Sequence, residues 1–196
     1  HFGLFGSFDQ GKHRLRVGGF PNVRVDDIQI QKRSADLVIA THGRSIDILD
    51  DTRPFRELTP EILAKPAHLF SIAPAFGRYL LEGYANNHGK GVYRGANPPE
   101  GALLTVWIKE YTGEEAKISI TNSAGEPVAN LKLPDAPGLS RVNWDLRPTE
   151  DVLTKYGGDN PKKFVPSGDY TAELSYGKEK VKQTFHVEIA PGIITR

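Results

Sequence analysis

The stretch Asp169-Tyr170-Thr171-Ala172-Glu173-Leu174-Ser175-Tyr176-Gly177-Lys178, continued through Val181 to Ile189, decides the fold class. Successive side chains of an extended chain point to opposite faces. Tyr170, Ala172, Leu174 and Tyr176 therefore share a dry side, and Asp169, Thr171, Glu173 and Ser175 a wet one. Gly177-Lys178 supplies a turn, and Val181, Phe185, Val187 and Ile189 form a second dry face with Gln183 as its one polar break. The same period of two recurs upstream. Val142, Trp144 and Leu146 alternate with Arg141, Asn143 and Asp145; Ala129, Leu131 and Leu133 with Asn130 and Lys132; Ala116, Ile118 and Ile120 with Lys117, Ser119 and Thr121. Leu104, Val106 and Ile108 complete the set, with Thr105 and Lys109 opposite.

Strands with one wet and one dry face need a second sheet to cover the dry one, so the second half reads as a two-sheet, immunoglobulin-like sandwich. Composition agrees: 196 residues with 20 Gly and 14 Pro suit many short strands joined by turns. Charge is balanced, 25 basic against 24 acidic residues, which gives no electrostatic case for nucleic acid or an anionic membrane. No apolar run is long enough to span a bilayer, and the opening His1-Phe2-Gly3-Leu4-Phe5 has no signal-peptide pattern. The absence of Cys excludes disulfides, thiolate zinc and cysteine nucleophiles. With no Met, and hence no initiator, a processed product or an excised piece is expected.

The first fifty residues predict five short strands: Phe2–Ser7, His13–Val17, Asp27–Gln31, Asp36–Ala40 and Ser45–Leu49. Leu37-Val38-Ile39-Ala40 is apolar on both faces and fits a strand in the middle of a layered sheet. Residues 52 to 102 are loop-rich. Within them Thr59-Pro60-Glu61-Ile62-Leu63 predicts a short helix: Thr caps it, Pro takes its first position and Pro66 stops it. A second short helix is predicted from Thr149 through Tyr156. Tyr84 to Gly91 is polar and Gly-rich, the signature of a surface loop.

Two segments carry a resemblance. Ser7-Phe8-Asp9-Gln10-Gly11-Lys12-His13-Arg14 resembles an Asp-box, the S-x-D-x-G-x-x-W turn of sialidase-like and sortilin-like β-propellers, with Arg14 where the aromatic belongs. In such a turn the Asp bonds backbone amides, and Gly takes the positive-φ position. More specific is the run from Asp36 to Asp51, which resembles the closing blade of bacterial sortilin-like or BNR-repeat propeller proteins of the glycosyl-hydrolase type. The run reads D-L-V-I-A-T-H-G-R-S-I-D-I-L-D-D. In that family a β-sandwich follows. Asn97 to Ala102, Arg141 to Arg147 and Val165 to Tyr170 stand in the expected order, so the resemblance covers essentially the whole chain. It implies an all-β chain: a terminal propeller-blade segment at 1–52 with a degenerate Asp-box, a connector at 53–102 and an Ig-like sandwich at 103–196. Most of a closed ring is missing. Gly6, Arg14 and Asp47 stand where large apolar or aromatic side chains are expected. Two readings stay open: a blade face made polar by design against edge association, or ordinary divergence.

Each candidate for chemistry has a plain structural reading beside it. In Thr41-His42-Gly43-Arg44-Ser45, His42 offers an acid or base and Arg44 a carboxylate clamp. The stronger reading is a tight turn whose His42 and Arg44 bond backbone carbonyls or the Asp50-Asp51 pair, and no third partner completes a Ser-His-Asp set. Asp26-Asp27, Asp50-Asp51, Glu114-Glu115 and Glu150-Asp151 are adjacent carboxylates. Neighbours in a strand point apart, so an adjacent pair does not by itself supply the facing pair that glycoside hydrolysis needs. Asp50-Asp51 instead caps the turn before Arg53. No catalytic residue is assigned. The structural-motif residues are Ser7, Asp9, Gly11, His42, Gly43, Arg44, Asp50 and Asp51. The six histidines are scattered, and Gly157-Gly158-Asp159-Asn160 lacks a calcium-loop pattern, so neither a metal nor any cofactor is expected. Tyr84, Tyr93 and Trp107, with Tyr79 and Tyr111, are the candidates for stacking on a sugar. The alternative for Trp107 is packing beneath the 67–98 segment.

The function expected is a non-catalytic structural or interaction module at the C-terminal end of a larger exported protein. Its partners would be the remaining propeller blades or a second copy of the chain. The alternatives are part of a propeller-type glycoside hydrolase, sialidase-like or related, and a carbohydrate-binding module. An extracellular or periplasmic location is implied by the resemblance alone.

Overall fold

The computed structural model describes residues 2–78, 100–156, 163–191 and 193, which fall into two units, His1–Leu63 and Ala64–Arg196. In the first unit, β1 (Phe5–Gly6) and β2 (Leu15–Arg16) form a minimal antiparallel hairpin. β3 (Val25–Gln31), β4 (Asp36–Thr41) and β5 (Ile46–Leu49) follow as an antiparallel meander with the apolar strand β4 in the middle. Ile39 faces Ile28 on one side and Asp47 on the other, and is almost fully buried. A bulge between Val25 and Asp27 twists β3 away at its start.

After β5 the chain is tied back to the β3–β4 turn. Thr52 donates through both its amide and its hydroxyl to the Ala35 carbonyl, at 2.9 and 2.7 Å. The Asp51 amide donates to Asp36 Oδ1. Two single-turn helices follow, α1 (Arg53–Glu57), which carries Pro54 in its first turn, and α2 (Pro60–Ala64). The Thr59 hydroxyl oxygen accepts the Ile62 amide, and Pro66 ends α2 because the residue before a proline is pushed out of helical conformation.

The second unit is the sandwich. Its strands are β6 (Ala67–Leu69), β7 (Ala75–Gly77), β8 (Ala102–Ile108), β9 (Lys117–Asn122), β10 (Pro127–Lys132), β11 (Gly138–Trp144), β12 (Gly168–Tyr176) and β13 (Glu179–Ile189). Helix α3 (Glu150–Tyr156) lies between β11 and β12 in sequence. One sheet has the order β10-β9-β12-β13-β7, the other β11-β8-β6. The fold class is thus all-β, a partial propeller-type blade followed by an Ig-like sandwich. β12 and β13 form the longest hairpin, with Tyr170 opposite Phe185 and Leu174 opposite Val181, so the alternation of the sequence becomes one continuous dry face. Against it pack Leu104, Val106, Ile108 and Trp144 of the second sheet. Trp144 meets the rings of Tyr170 and Phe185 at 5.5 and 6.0 Å between centroids, and its Nε1 donates to the Arg147 carbonyl.

Two strands of the sandwich come from the stretch that reads as loop. β6 pairs antiparallel with β8, and β7 pairs in parallel with the end of β13. At Gly77 a Cβ would press into the end of the Ile189 side chain, which would have to shift to accept it.

Candidate functional site

The Ser7–His13 turn of the first unit is organised around one carboxylate. Asp9 accepts the His13 amide at 2.9 Å and meets the His13 ring, while the Ser7 hydroxyl donates to Asp9 and accepts the Gly11 amide at 2.7 Å. Gln10 and Gly11 both take positive φ, which bends the chain tightly enough for one side chain to reach an amide four residues on. The His13 amide above all, then the His13 ring and Ser7, holds the Asp9 carboxyl below the usual carboxylate range. Every donor on Asp9 comes from its own turn, so its chemistry is that of a turn staple.

The Thr41–Ser45 turn joins β4 to β5, with Gly43 and Ser45 at positive φ and the Thr41 amide donating to the Ser45 carbonyl. Among the described residues the partners of the His42 side chain are Arg24, which the sequence did not single out, and Asp26, which it offered only as half of the Asp26-Asp27 pair. Arg24 Nη2 donates to His42 Nδ1 at 2.9 Å, Arg24 Nε donates to Asp26 Oδ1 at 2.7 Å, and the His42 amide donates to the Arg24 carbonyl. The hydrogen bond from Arg24 holds the Asp26 carboxyl below its ordinary range. Asp26 Oδ2 lies 3.4 Å from the same His42 Nδ1, so that ring nitrogen is engaged within the turn. The signal for this trio lay in strand register: Val25 pairs with Thr41, which brings Arg24 and Asp26 beside the turn. Arg44 is exposed and has no ion pair among the described residues. Asp51 accepts both the amide and the side-chain Nε of Arg53, the latter at 2.6 Å.

Trp107 belongs to the second unit. In β8 it sits between Leu139 of β11 and His68 of β6, half-buried, with its Nε1 enclosed and without a hydrogen-bond partner among the described residues. Tyr84 and Tyr93, like Tyr79 and the 157–160 loop, lie outside the described residues. Tyr111 lines a cleft of about 310 Å³ with Glu115, Lys132 and Asp135. Desolvation, then the nearby Asp135 charge, pushes the Tyr111 phenol up, so it stays a protonated donor rather than a nucleophile.

A larger cleft of about 450 Å³ opens at one end of the sandwich, lined by Asn122, Glu126, Pro148, Val152, Pro166 and Tyr170. The Tyr170 hydroxyl donates to the Pro166 carbonyl at 2.8 Å, the kind of corner that pins a strand start in immunoglobulin-type sandwiches. Burial pushes its pKa up to about 12. Asn122 and Glu126 bond each other across the β9–β10 turn. The cleft's polar groups are thus engaged in holding loops. Among the described residues no cluster of three or more His, Cys, Asp or Glu is placed to hold a metal ion, and no helix is long and apolar enough to cross a membrane.

No family model matches the chain, and no curated protein matches it. Among solved structures it is similar to PorZ of Porphyromonas gingivalis, described as an essential bacterial surface component of the type-IX secretion system. The identity is 17%, the match covers 94% of this chain and 25% of that one, and the TM-score is 0.29. The chain spans about a quarter of the PorZ chain's length.

Proposed function

We propose that this chain is a non-catalytic structural and interaction module, the C-terminal end of a larger exported sortilin-like propeller protein. Residues 1–52 would be its terminal blade, 53–102 the connector and 103–196 the sandwich. One observation carries the reading. In the unit His1–Leu63 the buried apolar side chains among the described residues are Leu4, Ala35, Ile39 and Pro54, while Phe2, Phe5, Phe8, Leu15, Ile28, Ile30, Ile46 and Ile48 are exposed. A stretch of that length with so small a core does not hold itself together by burial, and so much exposed apolar surface marks an interface. Its partner is protein, the neighbouring blades in the first instance. Ser7, Asp9 and Gly11 serve as the Asp-box turn, and His42, Gly43, Arg44, Asp50 and Asp51 as the turn and exit of the closing blade. Export places the module in the periplasm or outside the cell.

The test is fluorescence of the dye ANS on the native chain, run beside assays on aryl-glycosides. The dye is expected to brighten. Replacing Phe5, Leu15, Ile46 and Ile48 together by Thr is expected to remove most of that signal and leave the sandwich's thermal transition in place. Turnover of an aryl-glycoside, or a native chain that leaves the dye dark, overturns the reading. Saturable glycan binding lost in Trp107→Ala would assign the chain to the carbohydrate-binding alternative instead.

A further inference from the structure

We propose that the outer edge of β5 is a docking edge for one strand of a partner protein, and that the strand carries Lys or Arg opposite Asp47. The proposal rests on the interaction-module reading and adds to it the place and chemistry of contact. It begins with backbone alternation. Thr41 donates to the Ser45 carbonyl at 3.0 Å, which sets the hydrogen-bonded pairs of the β4–β5 hairpin at Ile39–Asp47 and Leu37–Leu49. The N–H and C=O groups of Ile46 and Ile48 therefore point away from β4, to a side where no strand lies among the described residues.

The opposite edge of the same sheet is guarded. There Ile28 and Ile30 direct their backbone outward by the same alternation, and the Ile28 amide is taken by Asp27 Oδ1 at 2.8 Å beside the bulge. Bulges and self-satisfied amides are how sheets close an edge to pairing. β5 has neither, and its Ile46 and Ile48 side chains are 61% and 60% exposed.

Asp47 identifies the occupant. It stands on the face opposite Ile46 and Ile48, next to Ile39, half-buried, and its Oδ2 is enclosed without a hydrogen-bond partner among the described residues. With one oxygen shut off from water the carboxylate is poorly solvated, and an incoming cation meeting Asp47 through its other oxygen, Oδ1, offsets that cost. A second copy of this chain fits poorly. The two-fold antiparallel pairing with the fullest overlap sets Ile46 against the copy's Ile48 and one Asp47 directly opposite the other, at the close, non-hydrogen-bonded spacing of about 4.5 Å. Like charges so placed repel. A partner strand of the form apolar-Lys/Arg-apolar satisfies every position: its apolar residues cover Ile46 and Ile48, its cation meets Asp47, and its backbone closes the edge.

The experiment titrates the full chain with a fluorescein-labelled nonapeptide, Gly-Ser-Thr-Val-Lys-Val-Thr-Ser-Gly, and with its counterpart carrying Glu in place of Lys. Anisotropy is expected to saturate for the Lys peptide at an affinity about ten-fold or more above the Glu peptide, the size of effect that a desolvated charge pair exerts across an interface. Asp47→Asn is expected to abolish that preference. Amide exchange on the wild-type chain supplies a readout that needs no variant: Ile46 and Ile48 become protected on binding, and Ile28 does not change. Equal affinity for both peptides, no saturation, or protection on β3 overturns the proposal. Protection of Ile46 and Ile48 in a chain that doubles in mass without peptide overturns it in favour of a second copy. If the peptides fail while the dye result stands, only the edge assignment falls; glycoside turnover would remove the interaction reading itself.

Discussion

Asp26 shows how one arginine sets the state of an exposed turn. Its carboxyl lies below the ordinary range because Arg24 donates to it and adds its charge, with His42 contributing less. A carboxylate depressed in the folded state contributes stability above its unfolded pKa of about 3.9, and loses it as pH falls through the lower folded value. Two-dimensional NMR should therefore find the Asp26 side-chain carbonyl titrating below the usual midpoint. Arg24→Ala should bring the midpoint up, and a midpoint unmoved by that change would show that Arg24 is not the cause. Legibility at this scale was uneven. The staple role of Ser7, Asp9 and Gly11 could be read because all its parts lie within a few residues. The partners of His42 could not, because Arg24 and Asp26 reach it only through the pairing of β3 with β4.

Among the elements, the long alternating strands announced themselves, since β9, β12 and β13 alternate buried with more exposed positions along much of their length. β6, β7 and α1 did not. A strand of three residues completes barely one period, and its identity is set by the edge it joins rather than by its own pattern. The sharpest constraint falls on the entry to β8. Gly101 has φ near +110°, and a Cβ there would collide with the Trp144 carbonyl, so Gly101→Ala must both strain and displace the backbone. We expect a loss of at least about 2 kcal/mol, read as a midpoint shift in urea unfolding. A change under half that size would mean that the β8–β11 end relaxes freely. Tyr176 is a second element-scale anchor. Its hydroxyl donates to the Glu110 carbonyl and accepts the Thr112 amide at 2.9 Å, pinning the β8–β9 loop to β12. Tyr176→Phe removes both hydrogen bonds while leaving the exposed Thr112 amide and Glu110 carbonyl to water, for an expected cost of about 1 kcal/mol in the same assay.

For the molecule as a whole, stability must be distributed as the cores are. The sandwich buries a continuous cluster running from Ala67 to Ile189, and the first unit buries little. Native-state hydrogen exchange should accordingly place the slowest amides at Leu104, Ile120 and Leu174, with Ile39 opening at lower free energy. Equal protection in both units would contradict the distribution of buried surface described above. The sandwich was legible because its dry faces are long. What the first unit does was legible only as a surplus of apolar side chains, since a sequence shows which residues seek burial but not what will bury them.

The parallel pairing of β7 with β13 has a consequence for how the protein is made. Ala75 meets Val187 and Gly77 meets Ile189, so two edge positions separated by more than a hundred residues of chain must find each other. On a ribosome β7 emerges well before β13 and stays without that neighbour until the intervening residues have been synthesised. A premature stop shortly before Val187 would thus release a chain with most of its sandwich made and the seam between β7 and β13 open. Such a product is one for cellular proteases to remove, and a late-acting chaperone contact near residues 75–77 would protect the nascent chain during that interval.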